Sequence, residues 1–157
     1  MILNRQRQVS ISVDDLEKFS VKLRKLLKIP AEAVTICLVT KADIAKWNRA
    51  YRGKNRPTDV LSFTPDEPPA KQRVIPRLSR KRTSSKSNGG FSEYWGDIAI
   101  APAIARQNAR RFGRDFNDEM RILILHGILH LMGYDHETDN GQMDRREMRL
   151  RRQLGLA

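Results

Sequence analysis

All three histidines of this chain fall inside HGILHLMGYDH, residues 126 to 136. On a helix, His126 and His130 stand one turn apart on the same face, where two imidazoles can reach one metal ion. Gly133 can end such a helix in a left-handed conformation, and the turn after it can swing His136 back toward the same point. Three neutral imidazoles with an open fourth position form a common catalytic zinc set, the open position holding a water whose pKa falls toward neutrality. A closed structural site needs a fourth protein ligand, which Asp135 or another carboxylate would have to supply. The plain alternative, three unconnected core or surface histidines, fits poorly with their clustering and with the lack of histidine anywhere else in the chain.

The same spacing satisfies the ligand pattern of the metzincin proteases, H-E-x-x-H-x-x-G-x-x-H, except that Gly127 stands where those enzymes carry glutamate. That glutamate takes a proton from water at the metal, so peptide hydrolysis by this route lacks its general base. A protease is disfavoured, and metal-assisted hydrolysis of another substrate stays open. Glycine inside a helix costs about 1 kcal/mol relative to alanine. A side chain at 127 is therefore expected to obstruct either helix packing or the approach to the metal; the second reading has Gly127 keeping that approach clear.

A second stretch able to do chemistry is YRGKNRPTDVLSF, residues 51 to 63. Arg52, Lys54 and Arg56 are placed on a loop whose path Gly53 and Pro57 set, and an arginine fork can clamp a phosphate through two parallel hydrogen bonds. Solvated surface charge is the competing reading. Asp59, just before a strand, is expected to hydrogen-bond the turn and not to act as a base. Asp97 in WGDIAIAP is read as structural in the same way.

The charge of the whole chain points the same way as the arginines. Thirty Lys and Arg against 18 Asp and Glu give a net charge of +12. That balance favours a polyanionic partner, nucleic acid ahead of an anionic membrane surface. Lys71, Arg73, Arg77, Arg80, Lys81, Arg82 and Lys86 lie in residues 70 to 92 without an acidic residue among them, yet the rest of the chain remains basic without these seven. Cys37, the only cysteine, sits in the apolar run AVTICLVT and reads as a buried small hydrophobe. The N-terminus lacks the apolar run of about 7 to 15 residues of a signal peptide, and no stretch approaches the 18 or so of a membrane span. A soluble cytoplasmic protein is expected.

The elements that must position these residues follow from periodicity. The stretch ILNRQRQVSISV suggests an N-terminal strand, its Val9, Ile11 and Val13 alternating with polar residues; Asp14 or Asp15 then caps a helix to about Lys28. AVTICLVT reads as a buried strand. Thr40 and Asp43 open a helix to about Tyr51, ended by Gly53, and a strand follows at about Val60 to Phe63. Residues 66 to 92, rich in proline and basic residues, read as a flexible insertion. WGDIAIAP resumes strand character, Pro102 starts a helix to about residue 112, and Gly113 stops it. The helix from about Asn117 to Met132 is apolar nearly all round and belongs in a core. A last amphipathic helix runs from about Gly141 to Leu154. The expected fold is α/β (α+β), one compact domain over residues 1 to 157, with about four strands in a mixed sheet and about five helices. The candidate metal site lies on the central apolar helix and the turn after it.

Three blocks in order, YRGKNRPTDVLSF, GDIAIAP and HGILHLMGYDH, resemble the YbeY-type endoribonucleases, also called rRNA maturation factors. They anchor about residues 35 to 150, and the last is the most specific, combining the histidine spacing with Gly127, Leu131, Gly133 and Asp135. The resemblance implies a zinc-dependent enzyme that cleaves single-stranded RNA in 16S rRNA 3′ end maturation and in ribosome quality control. It implies one zinc ion per chain on His126, His130 and His136, and a functionally important arginine at Arg52. The implied partners are single-stranded RNA, small-subunit rRNA or the ribosome, together with a ribosomal protein or GTPase, and no membrane. Two features depart from the family pattern: Asn55 stands where an acidic residue is common, and residues 66 to 92 look longer and more basic than the usual connection. Two other classes compete. One is a ribosome-associated RNA-binding factor with a structural zinc; the other is a metal-dependent hydrolase of another substrate.

Overall fold

A computed structural model of the protein describes residues 1–54, 58–65, 94–135 and 138–156. The expected insertion at 66–92, together with Asn55, Arg56 and His136, lies outside the described residues.

Strands β1 (Ile2–Asn4), β2 (Val34–Leu38), β3 (Val60–Phe63) and β4 (Gly96–Ile100) form one sheet in the order β1-β2-β4-β3. β1 and β4 run parallel to β2, and β3 runs antiparallel to β4, so the sheet is mixed and β3 is an edge. Helices α1 (Val13–Leu27), α2 (Lys41–Arg52), α3 (Pro102–Arg111), α4 (Phe116–Leu131) and α5 (Gln142–Gln153) complete the α/β domain.

Strand alternation divides the core in two. Ile36, Leu38, Ile98 and Ile100 point to one face, where they pack with Leu16, Phe19 and Leu23 of α1, most of α4, and Met143 and Leu150 of α5. Cys37, Leu61, Phe63, Ala99 and Ala101 point to the other, where Ile44 and Trp47 of α2 cover them. α4 lies deepest. Ile124, Leu125, Ile128 and Leu129 are each 0% exposed, and each such side chain contributes roughly 1.5–3 kcal/mol by burial.

The N-terminus departs from expectation. β1 stops at Asn4, and Val13 already opens α1 because the Ser12 hydroxyl, and not Asp14 or Asp15, caps the helix by accepting from Asp15 N. Between them Gln6 folds its amide onto Val9, donating to the Val9 carbonyl at 3.0 Å and accepting from the Val9 N–H at 2.9 Å. One side chain thus satisfies the backbone groups a neighbouring strand would have taken. The start of α2 is as expected, with Thr40 accepting from Asp43 N.

Candidate functional site

The helix that carries two of the histidines is held by its ends and by its packing. Asp115 caps α4 by accepting from Asp118 N, and Gly133, at φ 99, lets the chain turn away beyond its C-terminus. In between, the helix presses on the sheet at Gly127. A Cβ built there would stand 2.8 and 2.9 Å from side-chain carbons of Ile98 on β4, a distance real side chains do not tolerate. The glycine therefore serves helix packing. This contact accounts for the glycine by packing against the sheet, without reference to a metal.

Close approach at Gly127 has a second effect. Ser62 on β3 pairs with Ile98 across the ladder, and its Oγ donates to the Gly127 carbonyl at 3.1 Å. The same serine accepts through its own backbone oxygen from Arg52 Nη2 at 2.8 Å. Arg52 is the last residue of α2 and not a loop residue, since the helix continues to it before Gly53 turns the chain. Its guanidinium also lies 5.7 Å from the centre of the Phe63 ring. Residue 62 thus joins the candidate phosphate-binding arginine to the turn of α4 flanked by the histidines.

His126 and His130 meet. Their Nε2 atoms stand 3.1 Å apart, the rings at 75° with centroids 4.7 Å apart, and both side chains are half-buried. Two nitrogens bound about 2.0–2.1 Å from one tetrahedral zinc lie roughly 3.3 Å from each other, so the pair fits two corners of such a site. Imidazole is also the right donor chemistry for zinc. Among the described residues no group of three His, Cys, Asp or Glu side chains is placed to hold a metal ion, and the third expected ligand, His136, lies outside them.

The far side of His126 is occupied as well. Its Nδ1 lies 2.8 Å from Glu147 Oε1 on α5, and the second oxygen of that carboxylate lies 3.7 Å from Arg151 Nη1. Asp139 accepts from Gly141 N and Met143 N, which fixes the turn that opens α5.

The carboxylates read as structural are used structurally. Asp59 Oδ2 accepts from Asn108 Nδ2 of α3 at 3.1 Å, and the Asp59 carbonyl accepts from Ala101 N at 2.9 Å. Asp97 is buried and accepts from the Tyr94 hydroxyl. Cys37 is buried too, and burial pushes its thiol up to about 11. Two residues escaped the sequence reading. Ser62 carries no local signal, whereas Glu147 does: a single acid in line with Met143 and Leu150 on the buried face of a helix with five arginines.

A family model described as Endoribonuclease YbeY matches residues 1–155. The chain belongs to the YbeY endoribonuclease family. Its curated relatives include the endoribonuclease YbeY of Sulfurovum sp. (strain NBC37-1), 31% identical over 154 residues, 98% of this chain and 90% of that protein. That of Solibacter usitatus is 36% identical over 141 residues, 90% of this chain and 78% of the relative. Among solved structures, the solution structure of TM1509 from Thermotoga maritima superposes with a TM-score of 0.56 at 29% identity, covering 95% of this chain and 85% of that one. Membership extends over nearly the whole chain, so the histidine helix, the edge strand and the Arg52 turn are all parts of the YbeY fold.

Proposed function

We propose that the chain is a zinc-dependent endoribonuclease for single-stranded RNA, acting in the cytoplasm in 16S rRNA 3′ end maturation and ribosome quality control. The observation that carries the reading is the convergence of His126 and His130 Nε2 at 3.1 Å, on a helix whose adjoining turn is bonded to the strand that anchors Arg52. His126, His130 and His136 would hold the ion. When bound, zinc supplies a Lewis acid for a phosphate oxygen or for an attacking water.

The chain's own residues do the rest. Arg52 binds the scissile phosphate and stabilises the charge that grows on its oxygens as the bond breaks. Its guanidinium is held by the Ser62 carbonyl and the Phe63 ring, so its position does not have to be established when substrate arrives. The positive charge of the chain holds the RNA backbone and makes binding sensitive to salt. The nucleophile is either water or the neighbouring 2′-hydroxyl. An RNA with a single 2′-deoxy substitution at the scissile position separates the two: undiminished cleavage excludes the hydroxyl route.

The deciding experiment compares metal-loaded protein with its His130→Ala form on purified rRNA and on intact ribosomes. Cleavage by the first and none by the second is the expected result. Equal cleavage by both would identify a contaminating nuclease and end the proposal.

A further inference from the structure

We infer that Glu147 is a positioning residue for this metal site: by accepting the Nδ1–H of His126 it fixes that ring as the tautomer whose Nε2 lone pair faces His130. The inference rests on the metal reading above and extends it to a residue on a different helix.

A neutral imidazole has one N–H and one lone pair, and which nitrogen carries the hydrogen is decided by the partner each one meets. An ionised carboxylate only accepts. Glu147 Oε1 at 2.8 Å from Nδ1 therefore places the hydrogen on Nδ1 and leaves Nε2 as the lone-pair nitrogen. That nitrogen is the one 3.1 Å from His130 Nε2, on the side where two nitrogens converge. With His126 Nε2 as acceptor, the hydrogen between the rings belongs to His130 Nε2 in the metal-free protein. An ion held between the two Nε2 atoms would require that hydrogen to leave His130, whereas His126 already presents its lone pair on that side.

The surroundings favour this role over a simple surface ion pair. Met143, Glu147 and Leu150 share the inward face of α5, with Met143 and Leu150 at 1% and 2% exposure, and the Glu147 side chain is only 14% exposed. Desolvating a carboxylate is costly unless it is paired. The Arg151 guanidinium, at 3.7 Å, compensates the charge from the same helix, but the short contact goes to the histidine. A carboxylate holding the outer nitrogen of a metal-bound imidazole raises ligand basicity and fixes ring orientation, and losing such a partner typically costs about 10–100-fold in metal affinity.

The test uses the full chain as wild type, Glu147→Gln and Glu147→Ala, with zinc affinity measured by competition against a chromophoric chelator. The tautomer of His126 is read from imidazole nitrogen–proton correlations in the metal-free protein. Wild type is expected to show His126 with hydrogen on Nδ1. Alanine is expected to weaken zinc binding about 10–100-fold and to shift His126 toward the other tautomer. Glutamine, whose amide oxygen still accepts from Nδ1, is expected to restore most of the affinity. Unchanged zinc affinity in both variants beside a zinc-binding wild type would overturn the role of Glu147 alone, whereas a wild type that binds no zinc would take the metal site down with it. Should alanine fail to fold, the wild-type spectrum still decides: hydrogen on Nε2 of metal-free His126 overturns the inference.

Discussion

The histidine face and the arginine face of the sheet are built differently. On one, α1, α4 and α5 form a thick layer over Ile36, Ile98 and Ile100; on the other, α2 lies over small residues, Cys37, Ala99 and Ala101. His126 and His130 are positioned by the packing of a helix whose core residues are fully buried. Arg52 is exposed at the end of its helix, and its guanidinium is met by the Ser62 carbonyl and the Phe63 ring. Dense packing makes the histidine geometry a property of the whole core, whereas the arginine leans on exposed contacts with the edge strand β3. Damage should therefore separate: metal content should follow the first face, turnover the second.

The sharpest break of that comparison is His130→Ala. It should lower zinc from one ion per chain to near none, by elemental analysis, and abolish cleavage while circular dichroism stays close to wild type. Retention of one zinc would remove His130 from the ligand set. Arg52→Ala should leave zinc untouched and lower kcat by about 10²–10³, the usual cost of a lost charge-stabilising donor. Unchanged turnover at saturating RNA would show the two faces are not working on one substrate. Gly127→Ala attacks the join between them. Overpacking against Ile98 should cost about 1–3 kcal/mol, partly offset by the better helix propensity of alanine, and chemical denaturation measures the balance. Ser62→Ala removes only the Oγ bond to Gly127 and should cost about 1 kcal/mol. Because Arg52 is bonded to the backbone of residue 62, turnover should fall less than in Arg52→Ala. The smallest effect is expected at Cys37. With its thiol pushed up to about 11, the protonated form is favoured by the fold, and thiol reagents should label the native chain slowly at neutral pH and rapidly once it unfolds. The sign also predicts that stability falls as pH rises from the ordinary thiol range toward 11.

Much of the fold was legible because local chemistry and tertiary packing agree. Thr40 and Asp43 start α2, Val60 to Phe63 form β3, and the unbroken apolar pattern of ILILHGILHLM places α4 in the core. The N-terminal strand was expected along ILNRQRQVSISV and keeps only Ile2–Asn4, because Gln6 takes the Val9 backbone groups and Ser12 caps α1. Arg52 was assigned to a loop because Gly53 ends the helix one residue later than its last apolar position. At the site, the i, i+4 pair was readable from spacing alone. Its supports were not: Ser62 meets Gly127 across 65 residues of chain, and Glu147 meets His126 across 21. Such contacts carry no period in the sequence.

The pairing of Ser62 with Ile98 has a consequence for folding fidelity. Because successive strand residues point to opposite faces, a slip of β3 by one position would turn Phe63 toward α4 and Ser62 under α2. The bulky ring would then collide with the close approach at Gly127 while the hydroxyl lost its acceptor in an apolar layer. The register of β3 is thus set from both faces at once, since a shifted edge would pack badly against α4 and leave a hydroxyl in the apolar layer under α2.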